Sequence, residues 1–463
     1  MLSLLLTAST AYAACMTQMV QVPVNTMIKS LSMPPPANES MVVGAVQSLV
    51  ALNSNATTMS INGSMPLNTT FNINTVYCPA ANASAPLEFL IHGIGFDSTY
   101  WNFPIMPQNY SYSMLANDMG YSTFAIDRLG TGNSSHPMSS VVQTATHVEI
   151  VRQLTMMLRN GSLTNTTHDT IVHVGHSYGS AISNALVAQY PTISDGLVLT
   201  GYSAKAPGLS LFFAGSDLQI ASQAYPDRFG SGMLKMVNST SGTTTNVSKN
   251  LDNGYLITSN AAADQLLFFD TPYFDEAVLE AAERTKQTVT VAEGLTIGNS
   301  MAPKFAGPVY VVTGSDDLPY CAGNCYAVNG TNLTSIPQDV SKLFPMSSKF
   351  ATYIPLKTGH AVQLHPTAMQ TDMQIHKWLA MNGIGMSMNS TMVISGMSSM
   401  MSSMSMMSTM MTSVIPAAAG APVSSPAMTP SMGASSAPAM ASSAVTKGSM
   451  VASSASASST MTK

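Results

Sequence analysis

Ser177 lies in Gly175-His176-Ser177-Tyr178-Gly179, a G-x-S-x-G string between an apolar run and a helical pattern. That setting predicts a nucleophile elbow: a sharp strand-to-helix turn, strained at the serine, with glycines where side chains would clash. The helix that follows offers N–H groups and a positive dipole end to an oxyanion. A serine hydroxyl is a weak nucleophile at neutral pH and needs a base. His360, in Thr358-Gly359-His360, is the histidine placed to serve, completing the chain order Ser, Asp, His. His365 is assigned to the first turn of the next helix. The orienting carboxylate comes from Gly314-Ser315-Asp316-Asp317, where Asp317, three residues past the glycine, is favoured over Asp316. Upstream, His92-Gly93-Ile94-Gly95 follows another apolar run. There the Ile94 N–H is expected to join the Tyr178 N–H as an oxyanion donor, with Gly95 as the alternative to Ile94. His92 itself is read as a brace for this loop.

Positioning those residues requires strands that end where the motifs begin. Short apolar runs at 87–91, 121–126, 170–174 and 196–200 each close on a glycine or polar residue, as strands buried on both faces do. Helical spacing fills the gaps, from Val141 to Arg159 and from Ser180 to Tyr190, the latter stopping before Pro191. Strand alternating with helix predicts an α/β fold: a mostly parallel sheet with helices on both faces and chemistry at the strands' carboxyl ends. The pattern resumes with strands at 308–313 and 350–354 and a helix through Trp378. Between about 203 and 303 it breaks into helical patterns (275–284 the clearest) and a polar loop around 237–250, which reads as a cap inserted over the sheet.

Over residues 75 to 383 the chain resembles the α/β-hydrolase superfamily. Asp127-Arg128-Leu129-Gly130-Thr131-Gly132-Asn133-Ser134 matches its D-R-x-G-x-G-x-S loop, and the strings LIHGIGFDSTYW, AIDRLGTGNSSHP and VGHSYGS resemble secreted, glycosylated fungal members. The resemblance implies an eight-stranded sheet, a helical cap between strands six and seven, and no metal or cofactor. Asp127 and Arg128 would support the site. Serine at the nucleophile position disfavours epoxide hydrolase and dehalogenase activities, whose members carry aspartate there. A small-molecule or lipid-like ester is the expected substrate, with carboxylesterase first, lipase second and an iminopeptidase-type peptidase third. The last would want acidic groups for an amine, and Asp275 with Glu276 is thin support. A catalytically silent secreted binding protein is the alternative of a different class.

Composition agrees with a secreted protein. The chain has 463 residues, only 8% charged, a formal net charge of −5 and seventeen Lys plus Arg, which disfavours nucleic-acid binding. No run of about 18 apolar residues predicts a transmembrane span. MLSLLLTASTAYAA reads as a signal peptide cleaved after residue 13. Fourteen N-x-S/T sequons, from Asn38 to Asn389, suggest that glycans solvate the surface, with Asn133 and Asn160 expected to be buried or unused. Four cysteines allow three connectivities. Cys15–Cys78, clipping the N-terminal strand to the sheet, with Cys321–Cys325, closing a short loop, is favoured over a metal site. The expected organisation is a signal at 1–13, core at 14–203, cap at 204–303, core at 304–384 and a disordered tail at 385–463. The tail is rich in Ser, Met, Ala, Thr and Pro and ends without an apolar stretch, which argues against a GPI anchor. Its run GMSSMMSSMSMMSTMMT could hold Cu(I) through thioethers, but low-complexity drift is the favoured reading. Attachment to a cell wall is left open.

Overall fold

The computed structural model describes residues 15–50, 61–230, 233–237, 244–248 and 251–385, leaving aside the side chains of the two five-residue segments. The expected signal peptide and the expected tail with its Met-rich run lie outside the described residues, Gly385 apart.

The chain opens with a long antiparallel ribbon, β1 (Met16–Leu31) and β2 (Ile61–Cys78), joined through α1 (Glu39–Val50). Its register pairs Val22 with Phe71 and Val20 with Ile73, so apolar side chains share the buried face, while Gln21 and Asn72 share the exposed one. Cys15 is bonded to Cys78 at its base. β3 (Leu87–Ile91), β4 (Ser122–Ile126), β5 (Ile171–His176) and β6 (Gly196–Thr200) follow, buried at every position. Between them run α2 (Thr144–Arg159), which packs on β1, and α3 (Tyr178–Gln189).

Residues 204–303 form α4 (Leu209–Gly215), β7 (Gln219–Ile220), β8 (Met233–Val237), β9 (Thr244–Ser248), β10 (Tyr255–Ile257), α5 (Ala261–Phe268), α6 (Glu276–Thr285), β11 (Val289–Thr290) and α7 (Val291–Thr296). The sheet then resumes with β12 (Val309–Val312) and β13 (Phe350–Tyr353), and α8 (Ala368–Met381) closes the described part. Among the described residues, eight strands form one sheet in the order β1-β2-β4-β3-β5-β6-β12-β13. It is antiparallel at the β1 edge and parallel from β4 to β13. The parallel strands therefore release His92, Asp127, Ser177 and the 314–317 loop at one edge.

The strands expected in the core are present, 87–91 and 196–200 with unchanged ends and the others with ends shifted by at most two residues. Two regions differ from expectation. The loop around 237–250 contains β9, which pairs with β8, and β7, β10 and β11 make a second small sheet, so the insertion is not purely helical. The polar composition there hid the β-branched residues of TTNVS. Asn133 and Asn160 are both exposed, contrary to expectation: each sits in a turn beyond the element that buries its neighbours. Sequons Asn38, Asn62, Asn68, Asn82, Asn165, Asn329 and Asn332 are exposed too, and Asn109 is half-buried.

Candidate active site

At the end of β5 the backbone turns through Ser177 with φ 55° and ψ −115°, a region that L side chains rarely occupy, and α3 begins at once. The flanking glycines are required by crowding. A Cβ at Gly175 would lie 2.4 Å from the Ser180 nitrogen, and one at Gly179 would lie 2.0 Å from the Ile91 carbonyl oxygen. The Ser177 N–H donates to the Thr200 carbonyl at 2.8 Å, fixing the elbow to β6.

Ser177 Oγ lies 2.7 Å from His360 Nε2, and His360 Nδ1 lies 2.7 Å from Asp317 Oδ2. The carboxylate can only accept, so Nδ1 carries the ring proton and Nε2 is free to accept from the hydroxyl. Asp317 caps the turn Leu318–Cys321, its Oδ1 accepting the Tyr320 N–H at 2.7 Å. The Cys321–Cys325 disulfide closes this loop, and the Cys325 N–H donates to the Ser315 carbonyl at 2.9 Å. Asp316 is exposed and its carboxylate accepts from its neighbour Ser315, away from the imidazole. Ser177, Asp317 and His360 are 7%, 0% and 1% exposed, so all three are buried. Rings from three segments enclose the imidazole: Tyr320 at 5.8 Å, Phe212 of α4 at 6.2 Å and Phe268 of α5 at 6.2 Å.

The His92–Gly95 loop lies beside the elbow: a Cβ at Gly93 would come within 2.9 Å of Ser177 Cβ. Both Ile94 and Gly95 belong to it, and Gly95 takes φ +84° beneath the Phe268 ring. Among the described residues, the backbone N–H groups of Ile94 and Tyr178 meet no protein acceptor. His92 links this loop to Arg128. Its Nδ1–H donates to the Gly93 carbonyl at 2.9 Å, and its Nε2 accepts the Arg128 N–H at 3.0 Å. Burial, then the Arg128 charge, hold the His92 pKa well below its ordinary value, so the ring stays neutral. Asp127 ties three segments together, accepting from the Ser98 and Asn133 N–H groups and the Asn74 amide, each at 2.9 Å.

Arg128 turns inward. Its guanidinium lies 4.8 Å from the Tyr178 ring centroid, donates to the Gly93 carbonyl at 3.3 Å and pairs with Glu293 of α7. His147 of α2 meets the same carboxylate at 3.0 Å. Burial opposes the charge on Glu293, but Arg128 and His147 together outweigh it and lower its pKa. Glu293 and His147 were not anticipated from sequence. The legible signal was Thr290-Val-Ala-Glu293, a capping box that α7 does form. Gln287 makes a second bridge from the insertion, donating its backbone N–H to the Gly95 carbonyl at 2.9 Å and its amide to Asp97 at 2.9 Å. Burial, then the neighbouring Asp127, raise the Asp97 pKa to about 6.

His365 is not in a helix. It ends the short turn Val362–Leu364, three residues before α8, because Pro366 and Thr367 delay the helix start. Its ring is fully buried.

The model of the Alpha/beta hydrolase family matches residues 89–369. Uncharacterized proteins of Mycobacterium bovis and Mycobacterium tuberculosis are 26% identical over 141 residues, 30% of this chain and 36% of theirs. The chain thus matches about a third of the length of these curated relatives. A thermophilic esterase from Thermogutta terrifontis superposes with TM-score 0.43 at 15% identity, covering 67% of this chain and 93% of that one. An enol-lactonase from Burkholderia xenovorans does so with TM-score 0.45 at 12% identity, covering 67% and 96%.

Proposed function

The chain belongs to the alpha/beta hydrolase family, and on that premise we propose that it is a secreted serine hydrolase cleaving carboxylic esters of apolar acids or alcohols. The observation that carries this reading is the unbroken relay from Ser177 Oγ through His360 to Asp317, with 2.7 Å at each step. His360 Nε2 takes the serine proton as Oγ attacks the ester carbonyl, and Asp317 stabilises the imidazolium that results. The Tyr178 and Ile94 N–H groups donate to the oxyanion of the tetrahedral intermediate. Collapse breaks the ester C–O bond, His360 gives its proton to the departing alkoxide, and a serine ester remains. Water then adds to that ester, His360 taking its proton and returning it to Ser177 Oγ as the acid leaves.

Residues 204–303 act as the cap that selects substrate. Phe212, Phe268 and Tyr320 around the imidazole, with no unpaired cation among them, suit a neutral, apolar group rather than a carboxylate. Exposed sequons along the chain support entry into the secretory route. Lipase is the second reading, favoured by Leu211 of α4 and Leu266 of α5, exposed by 55% and 58%.

A chain-length series of p-nitrophenyl esters tests the reading. Ser177→Ala should lower kcat by at least about 10⁴-fold while leaving the melting transition in place. Fluorophosphonate should label the wild type alone. Full activity in Ser177→Ala would refute the assignment, and a jump in rate above the substrate's solubility limit would favour the lipase.

A further inference from the structure

The loop that carries His360 is fastened to the insertion along its whole length. The Ala361 N–H donates to the Phe268 carbonyl at 2.9 Å. Gly359 is pressed so closely against the 268–270 turn that a Cβ would lie 2.8 Å from the Asp270 nitrogen and 2.9 Å from the Phe268 oxygen. Lys357 sits 4.6 Å from the Tyr273 ring centroid. At the centre lies the buried imidazole of His365. Its Nε2 accepts two backbone N–H groups, each at 3.0 Å: one from Gly359, next to His360, and one from Asp270 of the insertion. Its Nδ1–H donates to the Ala361 carbonyl at 2.9 Å. The Phe269 ring lies against it at 5.6 Å.

We propose, taking His360 as the base of the serine hydrolase, that His365 is a positioning residue whose shared acceptor nitrogen holds the catalytic loop and the cap in register. One nitrogen with two incoming N–H donors has no room for a proton of its own, so the arrangement specifies a single neutral tautomer. Protonating Nε2 would turn it into a donor facing two donors and release both segments. The consequence is local: Phe268, which lies over both the His360 ring and Gly95, is carried by the turn that would be freed. Charged groups reach the ring from several sides. Burial keeps it neutral most strongly, the Ala361 bond and Asp316 favour the charged form, and His360 opposes it. Asp270, on the cap side, lies at the far end of the second N–H bond. Together they leave His365 at about 4, so the ring is neutral at neutral pH.

The experiment compares His365→Phe, which keeps the ring and loses the acceptor, with His365→Gln, whose amide oxygen can accept both N–H groups without titrating. Amide hydrogen exchange at Gly359 and Asp270 is read in the full secreted chain, together with kcat and its pH profile on a p-nitrophenyl ester. His365→Phe should accelerate exchange at both amides and lower kcat by about 10²-fold, as expected when a reacting group is displaced by an ångström. His365→Gln should restore most of the turnover and keep both amides protected. The wild type should also lose activity through an extra proton-dependent step near pH 4 that His365→Gln lacks. Unaltered exchange and kcat in His365→Phe would overturn the proposal, as would a Gln variant as damaged as Phe. If the wild type cleaves no ester, the serine-hydrolase reading falls, while the exchange data still decide whether His365 couples the two segments.

Discussion

Residues that share one site were unequally legible in the sequence. Ser177, Asp317 and His360 were found because an elbow constrains its neighbours: glycines at fixed spacing, a strand before, a helix after, and partners on later strand ends. Glu293 and His365 leave no such trace. A lone glutamate 165 residues from Arg128, or a lone histidine contacting a turn 95 residues away, acquires meaning only once the chain has folded. Arg128 and Glu293 are a buried pair behind the His92–Gly95 loop, so removing one partner strands the other charge in the interior. Arg128→Leu should destabilise the protein by about 3–5 kcal/mol, measurable as a shift of the urea midpoint. It should also lower kcat, because the Gly93 carbonyl and the Tyr178 ring lose the group that spans them. An unchanged midpoint would mean that the pair contributes nothing beyond its own desolvation.

The core strands were read from their apolar runs, whereas the β1–β2 ribbon, wet on one face, was left without bounds beyond an N-terminal strand clipped by Cys15–Cys78. β1 and β2 alternate Val or Ile with Asn, Gln and Thr, a weaker signal than LEFLI or GLVLT, and no hairpin turn joins them, since α1 lies between. Their role is nonetheless specific. α1 reaches the insertion: Glu39 accepts the Ile220 N–H at 3.0 Å, Val50 accepts from Ser210 Oγ at 2.8 Å, and Leu49 fills the space that a Cβ on Gly294 would need. The ribbon therefore straps the insertion from outside, starting from a base closed by Cys15–Cys78. Leu49, 1% exposed, is the anchor of that strap. Leu49→Ala should cost about 2–5 kcal/mol in thermal or urea unfolding. It should also hasten limited proteolysis within residues 204–303, because the strap holds the cap at that point. Equal proteolysis of variant and wild type would place the anchor elsewhere.

Across the whole molecule, buried titrating groups set a pH window for stability. Burial lowers the pKa of His92, His136, His147, His168, His173, His176 and His365, so the unfolded chain takes up protons that the native state refuses. Stability must rise as pH climbs from about 4 towards the unfolded histidine value near 6.5. Burial acts oppositely on Asp97, Asp264 and Asp372, raised to about 6, about 7 and about 8, which keep protons that the unfolded chain has lost. Those three only partly offset the seven histidines below pH 6.5. Above it the contribution of those seven is spent, and stability falls as Asp264, Asp372 and His376 give up their protons. Burial alone would lower the His376 pKa, but Glu88 raises it against burial. Melting temperature should peak between pH 6 and 7, and Asp372→Asn should flatten the decline up to about pH 8. A monotonic rise to pH 8 in the wild type would contradict this balance.

In the proposed mechanism, the seclusion of Ser177 has a consequence for the acyl group that it would carry. Ser177 is 7% and His360 1% exposed, and the Phe212, Phe268 and Tyr320 rings surround the imidazole, so little bulk water reaches the pair. An alcohol that reaches the acyl group past those apolar rings then competes with water for it. Partition between hydrolysis and transesterification in the proposed reaction should therefore follow which small hydroxyl compounds those rings let through.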